Sequence, residues 1–363
     1  MTRTVRCSAP GRVCLFGEHQ DYLGLTVVPC ALNLRCTVSG VPRSDGEFKI
    51  RDVIHGCEWS FRSDQLSYSG EDSDYLKAVV AVMAEQGMKI GGATVEISNQ
   101  VPVKSGLSSS AALLVSWAKF LDLAFGLRLE PLDLAMLCYR AEHDELGVPC
   151  GVMDQISSSF GGVVEIQCRD PPKVSRLAAR LEGLVVGDTL VSKRTVDVHS
   201  IRTREMASAV RRLESLLGHS VDLEALTWDE VRPYLSDLPE TERKRITATI
   251  RNRDITRRAV SLLKERNPSL QALGKLMSDH HTYLRDYYEV SHPKIERLLE
   301  AARRAGALGG KLTGAGLGGC IVVLAPGRQE AVAEAIRRAG GKPYIVRPDQ
   351  GATEEKGGRH DVP

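Results

Sequence analysis

The 363-residue sequence has no apolar run of membrane-spanning length and almost no excess charge of either sign. Its net charge of +2, from 48 basic and 46 acidic residues, argues against a nucleic-acid partner or a membrane surface. Residues 1–9 are charged and contain no apolar core, so we expect no signal peptide. The nine cysteines include no C-x-x-C pair, which argues against a disulfide framework or a zinc site and predicts reduced thiols in a cytoplasmic protein.

The patterns that are present predict a protein of mixed helices and strands. Hydrophobic residues make up 42% of the chain, which is enough to fill the cores of two domains. A helix-rich, charged stretch covers residues 201–304 and is followed by a strand–loop–strand–helix–strand ending. The predicted strands are 26–32, 35–41, 93–98, 163–166, 185–191, 311–313, 320–324 and 344–346, and the predicted helices are 75–85, 109–125, 131–146 and 329–339.

A composition shift near residues 183–188 marks the predicted boundary between two domains. We therefore place an N-terminal domain at residues 1–183 and a C-terminal domain at residues 184–349. The last segment, residues 350–363, has lost its apolar residues, and we expect it to be a disordered tail.

The most informative segment is a polar loop, broken by glycine, that leads directly into an apolar helix. It reads Val101-Pro-Val-Lys-Ser-Gly-Leu-Ser-Ser-Ser-Ala111, and we call it the serine loop. Glycine allows the backbone to approach a ligand closely, and the first N–H groups of the helix point into the loop, which makes an anion site suited to polyphosphate. The loop matches neither of the two commoner phosphate-binding patterns. A serine-rich helix cap without a ligand is the alternative.

Two further segments stand near opposite ends of the chain. They read Ala9-Pro-Gly-Arg-Val-Cys-Leu-Phe-Gly-Glu-His-Gln-Asp-Tyr22 and Gly309-Gly-Lys-Leu-Thr-Gly-Ala-Gly-Leu-Gly-Gly-Cys320. With the serine loop between them, they resemble in order and spacing the three motifs of the GHMP small-molecule kinase superfamily. The first segment and Gly147-Val-Pro-Cys-Gly-Val-Met-Asp-Gln155 are similar to the galactokinase branch in particular. The resemblance covers nearly the whole chain.

The resemblance implies an α+β fold of two domains, the first like domain 2 of ribosomal protein S5 and the second ferredoxin-like, with the active site between them. It implies ATP-dependent transfer of phosphate to a hydroxyl of a small polyol, most simply a monosaccharide at C1, with Mg²⁺. Asp154 and Arg12 match the catalytic pair, and Asp154 either acts as general base or orients the hydroxyl and stabilises charge. The residues expected at ATP are Lys104, Gly106, Leu107, Ser108, Ser109, Ser110, Ala111, Tyr75 and Gly316.

The same resemblance identifies candidate ligands of the acceptor. Two carboxylates and an imidazole within four residues can contact neighbouring hydroxyl groups, although an unliganded polar turn is the alternative. Gly151 and His199 complete the expected acceptor site, whose members are Glu18, His19, Asp21, Gly151 and His199. Galactokinases have a tyrosine where we place His199 and a threonine where Gln20 stands. These departures leave the acceptor open among galactose, another aldose, a uronic acid and an inositol.

The expected magnesium ligands also depart from the family pattern. Galactokinases place a glutamate four residues after the last serine of the loop, where this chain has Leu114, which cannot coordinate a cation. The mevalonate kinase branch takes its metal carboxylate from just upstream of the catalytic aspartate, and Glu142 lies at nearly that distance from Asp154. We therefore expect Ser110 and Glu142 to hold Mg²⁺. A solvated helix glutamate is the alternative reading of Glu142.

Two other functions remain open at this point. One is a relative that acts on a non-sugar such as mevalonate, including a decarboxylase of the same fold, although the polar cluster at residues 18–21 would then be left unpaired. The other is a sugar sensor that binds ATP without transferring phosphate. No membrane or nucleic-acid partner is expected, and a monomer and a homodimer both fit the sequence.

Overall fold

The computed structural model of the protein describes residues 3–103, 105–191 and 195–355. The elements of the first half of the chain build one large sheet and the helices that cover it. They are β1 (Val5–Phe16), β2 (Thr26–Arg43), β3 (Glu47–Asp52), β4 (Cys57–Arg62), α1 (Ser73–Glu85), β5 (Gly92–Asn99), α2 (Ser109–Phe125), α3 (Pro131–Arg140), α4 (Met153–Phe160), β6 (Val164–Gln167) and β7 (Lys173–Arg176). A 3₁₀ turn (Asp21–Leu23) and a π-helical turn (Ala141–Glu145) lie between them.

The second half builds a smaller sheet and a group of long helices. Its elements are β8 (Leu184–Asp188), α5 (Thr195–Leu217), α6 (Trp228–Val231), α7 (Glu240–Leu263), α8 (Leu270–Asp286), α9 (Pro293–Arg304), β9 (Gly309–Thr313), β10 (Cys320–Leu324), α10 (Gln329–Arg338), β11 (Lys342–Val346) and β12 (Thr353–Glu354), with a 3₁₀ turn at Arg232–Asp237. The predicted ending of strand, loop, strand, helix and strand is therefore confirmed.

The first sheet has the strand order β12-β1-β2-β5-β3-β4, with β6 and β7 attached to β2. The two strands predicted at 26–32 and 35–41 are one strand, β2, with an irregularity in which residues 32–34 lie opposite the single residue Gly11 of β1. A Cβ atom on Gly11 would lie 2.7 Å from the Leu107 carbonyl oxygen. The backbone of β1 thus lies against the serine loop at this point, where the Arg12 N–H group donates to the Leu107 carbonyl oxygen at 3.0 Å.

Helix α2 fixes the position of the serine loop, since it begins where the loop ends. It packs on β1 and β2, and its Trp117 and Phe120 are fully buried with ring centroids 5.7 Å apart. Gly126 ends the helix in the left-handed conformation that glycine adopts without strain. The predicted bounds of this helix are confirmed, because both of its ends carry local sequence signals.

The second sheet is antiparallel, with the order β11-β8-β10-β9. Helices α9 and α10 pack on it, while α8 lies along β9 and also reaches β1. Helix α7 contacts α5, α8 and both long strands of the first sheet. The second half of the chain therefore touches the first sheet next to the segment that follows β1.

The helix predicted at 131–146 is confirmed over Pro131–Glu145, although its last part is of another type. The α-helix ends at Arg140, and Ala141–Glu145 continue it as a π-helical turn that contains Glu142. Such turns are frequent at functional sites. The strand predicted at 185–191 ends at Asp188, because Leu190 adopts a positive φ of 59° and leaves the ladder.

The prediction of a disordered tail from residue 350 is wrong for residues 350–355. Thr353 and Glu354 pair with β1 as strand β12, and the Arg35 guanidinium donates to the carbonyl oxygens of Gln350 and Gly351. The composition of this segment does not indicate that it is ordered, because backbone pairing and charge hold it in place and burial of apolar side chains does not. Residues 356–363 lie outside the described residues.

The division of the chain at residues 183 and 184 stays a prediction. Strand β8 is the first element of the second sheet, yet residues 349–355 return to the first sheet and pair there. Within the described ranges, no helix is both long and apolar enough to cross a membrane.

Candidate active site

A cavity of about 680 Å³ opens where the serine loop, the segment after β1 and the loop between β9 and β10 meet. Most of the predicted site residues line it. They are Arg12, Glu18, His19, Asp21, Tyr75, Gly106, Ser108, Ser109, Ser110, Gly151, Asp154 and His199. The structure thus brings together side chains that lie far apart in sequence, on elements from both halves of the chain.

The serine loop passes beneath one part of this cavity. Gly106 and Ser108 have positive φ angles of 86° and 60°, which turn the backbone sharply before the first turn of α2. The Ser108 hydroxyl donates to Asp154 Oδ2 at 2.5 Å and does not cap the helix. The N–H groups of a first helical turn have no intrahelical partner, and the residues at the start of α2 line the cavity. Ser108 does not cap the helix, and an anion site at this loop stays a prediction.

Arg12 and Asp154 form an ion pair in the cavity wall, in which Arg12 is buried and the Asp154 side chain is 27% exposed. Arg12 Nε lies 2.8 Å from Asp154 Oδ1, and Arg12 Nη2 lies 2.8 Å from Oδ2. The remaining Nη1 of Arg12 donates to the Gly106 carbonyl oxygen at 2.6 Å. One guanidinium therefore ties the carboxylate to the serine loop in a bidentate geometry that only arginine provides.

The hydrogen bonds of Asp154 leave room for one more donor. A carboxylate offers about four lone-pair positions. Oδ2 accepts from both Arg12 and Ser108, whereas Oδ1 accepts from Arg12 alone among the hydrogen bonds of the described residues. The free position on Oδ1 is where an incoming hydroxyl group can donate.

The acceptor end of the cavity is lined by two carboxyl groups with different surroundings. Glu18 is 1% exposed and forms a salt bridge with Lys311 of β9. Asp21 lies close to Gly151, where a Cβ atom would be 2.1 Å from Asp21 Oδ2. Burial, followed by the nearby charge of Asp154, raises the pKa of Asp21 to about 6. Gly151 therefore serves the site by leaving space for the Asp21 carboxyl group.

His19 and His199 form part of the aromatic wall of the cavity. The two nitrogens of His19 contact the Tyr22 hydroxyl at 3.0 Å and the Ala315 carbonyl oxygen at 3.1 Å. The His19 ring stacks on Tyr288 at a centroid distance of 5.1 Å, and His199 lies 5.5 Å from it. His19 therefore ties the segment after β1 to the loop before β10, and it lines the cavity.

Gln20 does not line the cavity. Its amide is buried against α7, near Thr249 and Arg253. The replacement of threonine by glutamine at this position therefore changes a packing contact between the two halves of the chain, and it does not reach the acceptor.

Glu142 lies beside Ser110, as expected for a shared metal site. Its carboxyl group accepts from Gln155 Nε2 at 2.6 Å, and the Ser110 hydroxyl is close enough to lower its pKa. Burial raises the pKa of Glu142 to about 7, against the effect of Ser110. The alternative of a solvated glutamate is wrong, since Glu142 is 5% exposed. Leu114 is fully buried in the core and offers no ligand.

Several expected nucleotide contacts are placed differently. Gly316 does not line the cavity, because it packs against the turn after α8, where a Cβ atom would be 2.2 Å from the Val290 carbonyl oxygen. Gly314 and Ala315 line the cavity in its place. The side chains of Leu107 and Ala111 are buried beneath the loop, so only their backbones can take part. Lys104 lies outside the described residues.

Sequence reasoning missed several side chains of the cavity wall. Trp59 and Ile97 line it together with Tyr75, and these two come from strands β4 and β5, which carry no motif. No sequence signal singled out Trp59, because its position at the cavity depends on strand pairing. Three side chains with broad apolar faces are suited to enclose a planar ring.

Comparisons with known proteins agree with this arrangement. Residues 74–162 match the family described as GHMP kinases N terminal domain, residues 259–342 match GHMP kinases C terminal, and residues 2–42 match the galactokinase galactose-binding signature. The galactokinase of Thermococcus kodakarensis is 30% identical over 359 residues, which cover 96% of this chain and 99% of that protein. The galactokinase of Roseiflexus sp. is 34% identical over 331 residues, covering 87% and 82% of the two chains.

Solved structures give the same result for the fold. Lactococcus lactis galactokinase complexed with galactose superposes with a TM-score of 0.85 at 26% identity, covering 97% of this chain and 95% of that one. Methanococcus jannaschii mevalonate kinase superposes with a TM-score of 0.72 at 17% identity, covering 96% and 99%. The second likeness concerns the fold alone. The two-domain fold predicted from sequence is confirmed.

Proposed function

Since the chain belongs to the galactokinase branch of the GHMP kinases and is an ATP-dependent sugar kinase, we propose that its acceptor is galactose and that the C1 hydroxyl is phosphorylated. One observation carries this proposal. The Arg12–Asp154 pair stands between the serine loop on one side and the two carboxyl groups of Glu18 and Asp21 on the other. An acceptor held by those carboxyl groups presents a hydroxyl to Asp154 and to the end of a triphosphate at once.

The residues at the acceptor end suit a polyol. Each carboxylate oxygen accepts a hydrogen bond from a sugar hydroxyl, and a site that holds such groups rejects an acceptor without them, because its buried oxygens would be left unpaired. Mevalonate has few hydroxyl groups and would leave Glu18 or Asp21 without a donor. A uronic acid would bring its own negative charge towards them. Arg202 of α5, which could balance such a charge, is already paired with Glu205 at 2.8 Å.

The proposed reaction places the proton on Asp154. The C1 hydroxyl donates to the free position on Oδ1, and its proton passes to Asp154 as the oxygen bonds to the γ-phosphorus and the bond to ADP breaks. Arg12 stays between the aspartate and the loop, where its charge stabilises the negative charge that develops on the transferred phosphoryl group. The N–H groups at the start of α2 act on the remaining phosphate oxygens.

We propose that Ser110 and Glu142 hold Mg²⁺. A carboxylate and a hydroxyl are hard oxygen ligands, and Mg²⁺ takes most of its other ligands from phosphate and water. When bound, the ion neutralises charge on the phosphates, while Gln155 keeps the Glu142 carboxyl group turned towards Ser110.

We place the adenine base between the faces of Trp59 and Tyr75, which line the cavity. We also expect the enzyme to be cytoplasmic. Light scattering on the purified protein distinguishes a monomer from a homodimer.

The test is ADP release over a panel of acceptors. With ATP and Mg²⁺ present, we expect turnover with galactose that exceeds turnover with glucose, galacturonate, myo-inositol and mevalonate. The position of the new phosphate is read from the NMR spectrum of the product. Turnover with a different acceptor would replace galactose in the proposal. ATP binding without turnover on any acceptor would instead favour a sugar sensor.

A further inference from the structure

We propose that Lys311 is a positioning residue for sugar recognition, because it holds the Glu18 carboxylate in place with one oxygen directed to the acceptor. The inference rests on the proposed sugar kinase function. It extends that function to a residue that lies on β9, in the second half of the chain, and does not line the cavity.

The first observation is that all three protons of the Lys311 ammonium group have acceptors. It donates to the Cys14 carbonyl oxygen at 3.1 Å, to the Leu312 carbonyl oxygen at 2.9 Å and to Glu18 Oε1. Lys311 is fully buried and Glu18 is 1% exposed. An ammonium group has three donors and no acceptor, so this lysine has one arrangement and Glu18 is fixed with it.

The second observation concerns the other oxygen of the same carboxylate. Within the described part of the chain, Glu18 Oε2 is buried and has no hydrogen-bond partner, although Glu18 lines the cavity. Leaving a buried carboxylate oxygen unpaired is costly, and native proteins rarely do so without a functional reason. A hydroxyl of the acceptor supplies the missing donor.

The third observation explains why no protein group takes that place. His280 of α8 lies beside Oε2, but its Nδ1 is 3.8 Å away, which is beyond hydrogen-bond distance. Its ring stacks on Phe16 at a centroid distance of 6.1 Å and is completely buried. Burial, followed by the charge of Lys311, lowers the pKa of His280 well below its usual value. A neutral His280 leaves Lys311 as the cation that faces Glu18 at this point.

The three residues come from three elements in different parts of the chain. Glu18 follows β1 of the first sheet, Lys311 belongs to β9 of the second sheet, and His280 belongs to α8, which packs on both. The position of the sugar-binding oxygen therefore depends on contact between the two halves. A purely structural ion pair would affect stability, whereas this arrangement predicts a specific effect on the sugar.

The experiment compares Glu18→Gln, Lys311→Met and the double variant, with galactose binding measured by calorimetry and KM by ADP release. We expect each single change to weaken galactose binding and to raise the KM for galactose by about tenfold or more, because a hydrogen bond to a charged group is lost. The KM for ATP should stay within about twofold of the wild-type value. In the Glu18→Gln background, Lys311→Met should have little further effect on galactose, because Lys311 acts through Glu18. Lys311→Arg, which keeps the charge, should restore part of the affinity.

The controls separate positioning from folding. Lys294→Met removes another lysine whose Nζ donates to a backbone carbonyl, that of Ala339, away from the cavity, and should leave galactose binding unchanged. If Lys311→Met alone does not fold, the double variant and Lys311→Arg still give the comparison, because neither leaves the Glu18 charge without a partner. An unchanged galactose affinity in Lys311→Met would overturn the inference. It would also be overturned if Lys311→Met lowered the galactose affinity by more than about threefold in the Glu18→Gln background. Galactose binding by the wild type without turnover would count against the proposed reaction but not against Lys311.

Discussion

The two ends of the cavity are built in different ways. The phosphate end is one continuous segment, the serine loop with the first turn of α2, and its groups are mostly backbone N–H groups and hydroxyls. The acceptor end is assembled from side chains of the segment after β1 and from Lys311 of β9, with the neutral ring of His280 on α8 beside them. On the proposed function, a local motif holds the triphosphate, whereas contact between distant parts of the chain holds the sugar. Substitutions should therefore separate into those that affect one substrate and those that affect the other.

The largest effect is expected where the two ends meet. Asp154→Asn keeps the shape of the side chain but loses the proton acceptor, so kcat should fall by about a thousandfold. Binding of ATP and of galactose should change little, since neither end is altered. Steady-state kinetics with calorimetry checks this. Asp133→Asn, an exposed aspartate at the start of α3, is the control and should be fully active.

A smaller effect, confined to the phosphate end, is expected at Glu142. Glu142→Gln removes the charge that we assign to Mg²⁺, so the Mg²⁺ concentration for half-maximal activity should rise by at least about tenfold. The KM for galactose should stay the same. A magnesium titration of ADP release measures both, with the exposed neighbour Asp144→Asn as control. Identical magnesium curves for wild type and Glu142→Gln would show that the metal ligand lies elsewhere.

The acceptor end should have its own dependence on pH. The pKa of Asp21 is raised to about 6 by burial and by Asp154, with Arg12 opposing the shift, so Asp21 is ionised above this pH and protonated below it. At saturating ATP and Mg²⁺, kcat/KM for galactose should therefore fall about tenfold per unit as the pH drops below 6. Asp21→Asn should lower kcat/KM and abolish its decrease at acid pH. If kcat/KM of Asp21→Asn still decreases below pH 6, another group is responsible for the titration.

The smallest effect is expected where we place the adenine base of ATP. Tyr75→Ala removes a face that we assign to adenine, and the KM for ATP should rise by about two- to tenfold, with galactose binding unaffected. Tyr75→Phe keeps the face and should behave as wild type. An equal effect of both substitutions would mean that the hydroxyl, rather than the ring, contacts the nucleotide.

What could be predicted from sequence follows the same division. The sequence predicted the serine loop and the bounds of α2, because their signals are local. It also predicted the pairing of Arg12 with Asp154, because these residues belong to two family motifs. Glu142 was identified by its distance from Asp154, although the π-helical turn that presents it was not.

The remaining contacts were not visible in the sequence for a common reason. Lys311 stands inside a predicted strand, and nothing near it indicates that its ammonium group meets Glu18, 293 residues earlier in the chain. Trp59 reaches the cavity through the pairing of β3 with β4 and β5. Residues 350–355 are ordered by backbone pairing with β1, which composition does not report. In each case a non-local contact determines the role of the residue.

The account depends most on Asp154 facing the acceptor while the triphosphate lies over the start of α2. A crystal structure of the protein with galactose and a non-hydrolysable ATP analogue tests this directly. We predict the C1 hydroxyl within hydrogen-bond distance of Asp154 Oδ1, the terminal phosphate between Ser110 and Arg12, and a second sugar hydroxyl on Glu18 Oε2. A triphosphate bound away from the serine loop, or a sugar whose hydroxyl groups do not reach Asp154, would contradict it.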